Sequence, residues 1–192
     1  MEKKKFRIST SYFTLLAISI FAYGCSASDP EPENEEELIT TVNVTFTNSL
    51  DANDIVVASF EDIDGPGGDD GIATHPTLSA NTTYNVTVEF LNESVTPTDD
   101  ITVEVEEEGD EHQVFFVTSS GLNFEHAYLD EDTNGNPIGL NNTVVIGGES
   151  TGTMEVVLVH QPNKSNSGVS DGDITNAGGD EDVHVSFDVI IQ

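Results

Sequence analysis

The chain has 192 residues, with 5 Lys+Arg against 36 Asp+Glu, one cysteine and no tryptophan. A formal charge of −31 argues against a nucleic-acid partner, because such binding rests on Lys and Arg meeting phosphates. A lone cysteine rules out an internal disulfide, and the length suits one domain behind a short leader.

Four of the five basic residues (Lys3, Lys4, Lys5, Arg7) precede an apolar stretch that ends Leu15–Cys25, LLAISIFAYGC. That is the layout of a secretory signal peptide. The apolar part from Tyr12 to Tyr23 is interrupted by Thr14 and Ser19. It is short of the roughly 20 apolar residues a spanning helix needs. Its ending, Ala22-Tyr23-Gly24-Cys25, resembles a bacterial lipobox. The resemblance implies that residues 1–24 are removed and that Cys25 carries acyl chains, which hold the protein to a membrane. Without residues 1–24 the chain keeps one basic residue, Lys164, and loses Glu2 from its acids, so its formal charge is 1 − 35 = −34.

Residues 25–37 read as a tether. Ser26–Glu37, SASDPEPENEEE, cannot bury enough apolar surface to offset its ordering entropy, so it is expected to be disordered. Prolines and like charges keep it extended. It resembles the acidic segment behind the lipidated cysteine of surface-exposed Bacteroidetes lipoproteins. That resemblance implies an outer-membrane lipoprotein on the cell's outer face, with a periplasm-facing one as the alternative.

Residues 38–192 form the domain. Val42, Val44 and Phe46 alternate with polar residues, as in a half-buried strand, and Ile55–Phe60 is a second strand. Glu61–Gly71 is a glycine-rich loop in which Asp62, Asp64, Asp69 and Asp70 crowd together. Solvated turn and cation site are both open there, with Asp62 and Asp64 as ligands in the second case. Tyr84, Val86, Val88 and Phe90 mark the clearest strand. Residues 101–108 read as either helix or strand, the helix being preferred because Ile101 and Val105 lie four apart and Thr98 can cap them. Val114–Thr118 and Leu122–Leu129 are strands, and His126 shares the apolar side of the second.

Asp130–Gly139, DEDTNGNPIG, carries D-x-D-x-N-G, the first half of an EF-hand calcium loop. Asp130, Asp132, Asn134 and Asn136 are the candidate ligands, and Gly135 permits the sharp turn. The twelfth place is Asn141 rather than Glu, and flanking helices are absent, so the loop is no EF-hand. A plain tight connection is the alternative. Gly148-x-Ser150-x-Gly152 matches the serine-hydrolase elbow, but a period-two run follows where that motif needs a helix. Ser150 is therefore expected in a hairpin. Gln161–Asp182 is polar, glycine-rich and without period, a third acidic loop holding Asp171, Asp173, Asp180 and Asp182. The last strand begins at Val183.

These features predict an all-β fold, an antiparallel β-sandwich (immunoglobulin-like or similar) of about seven or eight strands with at most one short helix. EELITT (Glu36–Thr41), DEHQVFF (Asp110–Phe116), DEDTNGNPIGL (Asp130–Leu140), LVHQPNK (Leu158–Lys164) and GGDEDVHVSFDVII (Gly178–Ile191) together resemble a functionally uncharacterised family of small flavobacterial lipoproteins. Its members sometimes carry the label type 1 periplasmic binding fold superfamily, which implies a parallel sheet with alternating helices. The runs of strands here imply the antiparallel sandwich instead. The expected function is a membrane-anchored, surface-exposed, non-catalytic binding or structural module, whose protein, glycan or small-molecule ligand the residues leave open. The alternative is a metal-binding lipoprotein, with calcium as the cofactor in the acidic loops, or copper or zinc at histidines. Of these, His112, His126 and His160 lie in or beside strands, and His75 and His184 are less suggestive.

Overall fold

The computed structural model describes residues 38–65, 67–68 and 70–192; the expected signal peptide, Cys25 and the tether lie outside them. Eleven strands occur among the described residues. They are β1 (Thr41–Asn48), β2 (Ile55–Glu61), β3 (Ile72–Thr74), β4 (Thr77–Leu78), β5 (Thr83–Asn92) and β6 (Asp99–Asp100), then, after helix α1 (Ile101–Glu107), β7 (His112–Thr118), β8 (Phe124–Tyr128), β9 (Asn141–Ile146), β10 (Ser150–His160) and β11 (Asp180–Ile191). Three of them have only two or three residues, so eight are of ordinary length.

The alternation read in Tyr84–Phe90 is realised residue by residue: Tyr84, Val86, Val88 and Phe90 are buried and the residues between them are exposed. Paired with β1, they place Val86 opposite Phe46, Val88 opposite Val44 and Phe90 opposite Val42. That strip is the centre of one sheet, ordered β3-β2-β1-β5-β9-β8 with β6 beside β5. The second sheet is ordered β4-β11-β10-β7. All pairings are antiparallel except the short β4 along β11. The inner faces close on one core, in which Phe46, Tyr84, Phe90 and Ile146 of the first sheet join Val114, Met154, Leu158 and Phe187 of the second. This is an all-β sandwich of two packed antiparallel sheets.

Helix α1 buries Ile101 and Val105, the pair that signalled it. Its cap is Asp100, whose carboxylate accepts from Thr102 N, and not Thr98. Asp99 and Asp100 pair with Asn92 and Leu91 as β6, so the helix starts later. Thr102 Oγ1 accepts from Phe90 N at 2.9 Å and lies 3.1 Å from Phe90 O, tying the helix to β5.

Three further expectations are corrected. The connection holding Ser150 is no hairpin. It carries the chain from β9 in the first sheet to β10 in the second, and Ser150 Oγ accepts from Asn123 N at 3.0 Å. The last strand begins at Asp180, three residues before its apolar alternation starts. Residues 161–179 are no free acidic loop. Val169 and Ala177 anchor that segment on Phe115, Val157 and Val159, which face away from the main core. Two apolar anchors joined by 3-10 turns at Val169–Asp171 and Ile174–Asn176 are too few to leave a period in the sequence.

Candidate functional site

The D-x-D-x-N-G segment joins β8 to β9 and folds back on itself through a bridge between Glu131 and Pro137. Gly135 has φ of +82°, a value that glycine adopts without steric penalty. Asp130 straddles the loop's exit, its two carboxylate oxygens accepting from Gly139 N and Asn141 N at 2.8 Å each. Asp132 Oδ1 accepts from Asn134 N at 2.8 Å and Asn136 N at 2.9 Å. Its Oδ2 accepts from Lys164 Nζ at 3.1 Å. Lys164 also donates to Pro137 O at 2.9 Å and to Gly109 O.

The four candidate calcium ligands thus share one loop, and one of them, Asp132, is paired with the ammonium of Lys164. Both members of the pair are buried, with side chains 5% and 1% exposed. Burial pushes the Asp132 carboxyl up, but the N–H groups of Asn136 and Asn134 and the Lys164 ammonium outweigh it and hold the pKa below the usual carboxylate value. A calcium ion at this loop has to displace that ammonium and the backbone donors. Lys164 sits in a polar stretch and is the only Lys or Arg after Arg7. Its uniqueness was the one signal that could have marked it.

Asp62 and Asp64 lie in the turn after β2. Asp62 N donates to Thr40 O at 2.7 Å, while Asp62 Oδ1 is buried without a hydrogen bond.

A second cluster forms where β7, β10 and β11 meet. His112 opens β7 and His160 closes β10, and the two are directly opposite in the antiparallel register. Their rings stack with centroids 4.7 Å apart and planes 14° from parallel. Asp182 joins them from β11. The register there runs Leu158 to Val183 and then Val159 to Glu181, so Asp182 is the extra residue of a β-bulge. Bulges re-aim side chains beside functional sites. One ligand atom from each of His112, His160 and Asp182 lies within 4.8 Å of the others. His112 is 1% exposed and His160 is 6% exposed. His112 Nδ1 lies 3.2 Å from Glu108 O. Burial holds the His112 imidazole below its ordinary pKa, against the pull of the Glu108 carbonyl. His160 Nε2 lies 3.4 Å from Glu111 Oε2.

Sequence reasoning named both histidines but missed Asp182, because it was assigned to a loop and no spacing rule joins residues 70 apart. His126 serves elsewhere. Its Nε2 pairs with Asn142 Oδ1 at 2.9 Å, and its ring stacks on Phe116. His75 Nδ1 accepts from Asp188 N at 3.0 Å, and His184 sits between Glu155 and Glu181.

No protein-family model matches the chain, and neither the curated proteins nor the solved structures contain a significant match. Among the described residues no helix is long and apolar enough to cross a membrane.

Proposed function

We propose that the chain is an outer-membrane lipoprotein, anchored through Cys25 and displayed on the cell's outer face, where its β-sandwich acts as a non-catalytic binding or structural module. The observation that carries this reading is the lone cysteine at the end of a basic-then-apolar leader, followed at once by an acidic tether. Fully extended, a tether of the 12 residues Ser26–Glu37 would reach roughly 40 Å. That is enough to hold the sandwich clear of the lipid headgroups. A formal charge of −34 after processing, worked out above, keeps such a body soluble and off an anionic leaflet. Ser150, the residue that a serine-hydrolase motif offers for catalysis, accepts a backbone N–H at the entry to β10. This supports a structural role for it.

The test is Cys25→Ser in the expressing bacterium. Wild type takes up labelled fatty acid, fractionates with the outer membrane and is cut by protease added to whole cells. The variant takes up no label and leaves the membrane fraction. Unlabelled wild type that fractionates like the variant refutes the anchor, and labelled wild type that resists protease until cells are broken refutes the outward orientation.

A further inference from the structure

We propose that His112, His160 and Asp182 form a binding site for one divalent transition-metal ion of the zinc or copper kind, independent of the membrane anchor. Three observations converge on it. The first is the donor set: two imidazoles and a carboxylate with ligand atoms within 4.8 Å of one another. Imidazole nitrogen favours zinc, copper, iron and nickel, whereas calcium and magnesium take oxygen ligands almost alone.

The second is His112 itself. Its Nδ1 faces the carbonyl of Glu108 at 3.2 Å. A carbonyl only accepts, so the neutral ring carries its proton on Nδ1 and presents a lone pair at Nε2. That Nε2 is buried and takes no hydrogen bond. Asp182 Oδ2 lies 3.8 Å from it, too far for a hydrogen bond. A lone pair and a carboxylate oxygen facing each other in a buried place repel, and a cation between them removes the repulsion. Two donors at about 2.0–2.2 Å from a tetrahedral zinc lie about 3.4 Å apart. A gap of 3.8 Å closes to that with a small side-chain shift.

The third is support around the ligands. Metal-bound histidines usually have their second nitrogen held by a carbonyl or carboxylate. The Glu108 carbonyl holds His112, and Glu111 lies beside His160 at 3.4 Å. The β-bulge supplies Asp182 to the same end of the sandwich. The three ligands are contributed by three strands of one sheet, so the site is built on rigid backbone.

The experiment uses the full-length protein, purified from membranes in detergent, stripped with a chelator and titrated with zinc chloride by calorimetry. Physiological salt and excess magnesium mask the weak surface carboxylates. One zinc per chain is expected. His112→Gln and the near-isosteric Asp182→Asn should each weaken it at least about tenfold, while His126→Gln, at a half-buried histidine outside the cluster, leaves it unchanged. Cobalt in place of zinc should give the visible absorption of a low-symmetry nitrogen–oxygen site, lost in Asp182→Asn. Circular dichroism selects the folded variants, and Asp182→Asn keeps the test open if His112→Gln does not fold. Absence of zinc binding to the wild type overturns the proposal. So does binding that Asp182→Asn retains at full strength, or that His126→Gln weakens equally. None of these outcomes bears on the lipidation of Cys25.

Discussion

Replacing Lys164 with methionine keeps the apolar stem and deletes the ammonium. Three acceptors then lose a donor: Asp132 Oδ2, Pro137 O and Gly109 O. Asp132 is left as a carboxylate whose side chain is 1% exposed. Breaking a buried pair by removing one partner costs about 3–5 kcal/mol. The backbone donors from Asn134 and Asn136 remain and favour the lower half of that range. For a body of roughly 150 residues, each kcal/mol moves Tm by about 2–4 °C. Lys164→Met should therefore lower Tm by about 6–16 °C, read by circular dichroism at neutral pH. The double variant Lys164→Met with Asp132→Asn should be less destabilised than the sum of the singles, because the second change removes the stranded charge. The vacated loop also keeps the D-x-D-x-N-G oxygens. Calcium should then raise the Tm of Lys164→Met beyond sodium chloride of equal ionic strength, and leave the parent no better than the salt control. A Tm shift within about 2 °C, or strict additivity in the double variant, refutes this account of the pair.

Two other perturbations follow from the same region of the fold. Gly139 has φ of +94°, and a Cβ there would lie 2.7 Å from Val114 O and 2.9 Å from the Tyr128 ring, so Gly139→Ala should cost about 2–4 kcal/mol by conformational strain and overpacking; an unchanged urea midpoint contradicts it. Burial holds the His126 pKa below its ordinary value, against the hydrogen bond with Asn142. The unfolded chain takes up a proton near pH 6.5 and the folded one does so only lower. Stability should thus be full above that value and fall as the pH drops from about 6.5 through the folded pKa. Tm measured against pH should show a shallower fall in His126→Gln, and parallel curves would exclude His126 as a source.

The sandwich was legible because its strands bury one face and wet the other. Tyr84–Phe90 and Val42–Phe46 announce themselves by that alternation alone. The ends of strands carry no such mark. Asp180 and Glu181 pair in β11 as fully as Val185 does, and Asp182 bulges out between Glu181 and Val183, yet their side chains read as loop. His112 and His160 likewise lie at strand ends, and only the register of β7 against β10 makes them neighbours. Partners 48 and 70 residues away are set by tertiary pairing, which no local pattern encodes. The partner of the calcium-like loop was hidden for a different reason. Its spacing shows how its oxygens converge but not which cation satisfies them. Charge counting suggested a diffuse repulsion in want of external ions. Yet the one Lys or Arg after Arg7, Lys164, is placed on Asp132, a buried carboxylate, where desolvation makes a missing partner most expensive. Carboxylates such as Asp51 and Asp173, which are fully exposed, sit in water and need no protein cation. A strongly acidic surface with a single lysine in the sandwich is therefore compatible with a well-determined fold: repulsion between exposed charges is screened, and the buried Asp132 carboxylate meets its donors in Lys164, Asn134 and Asn136.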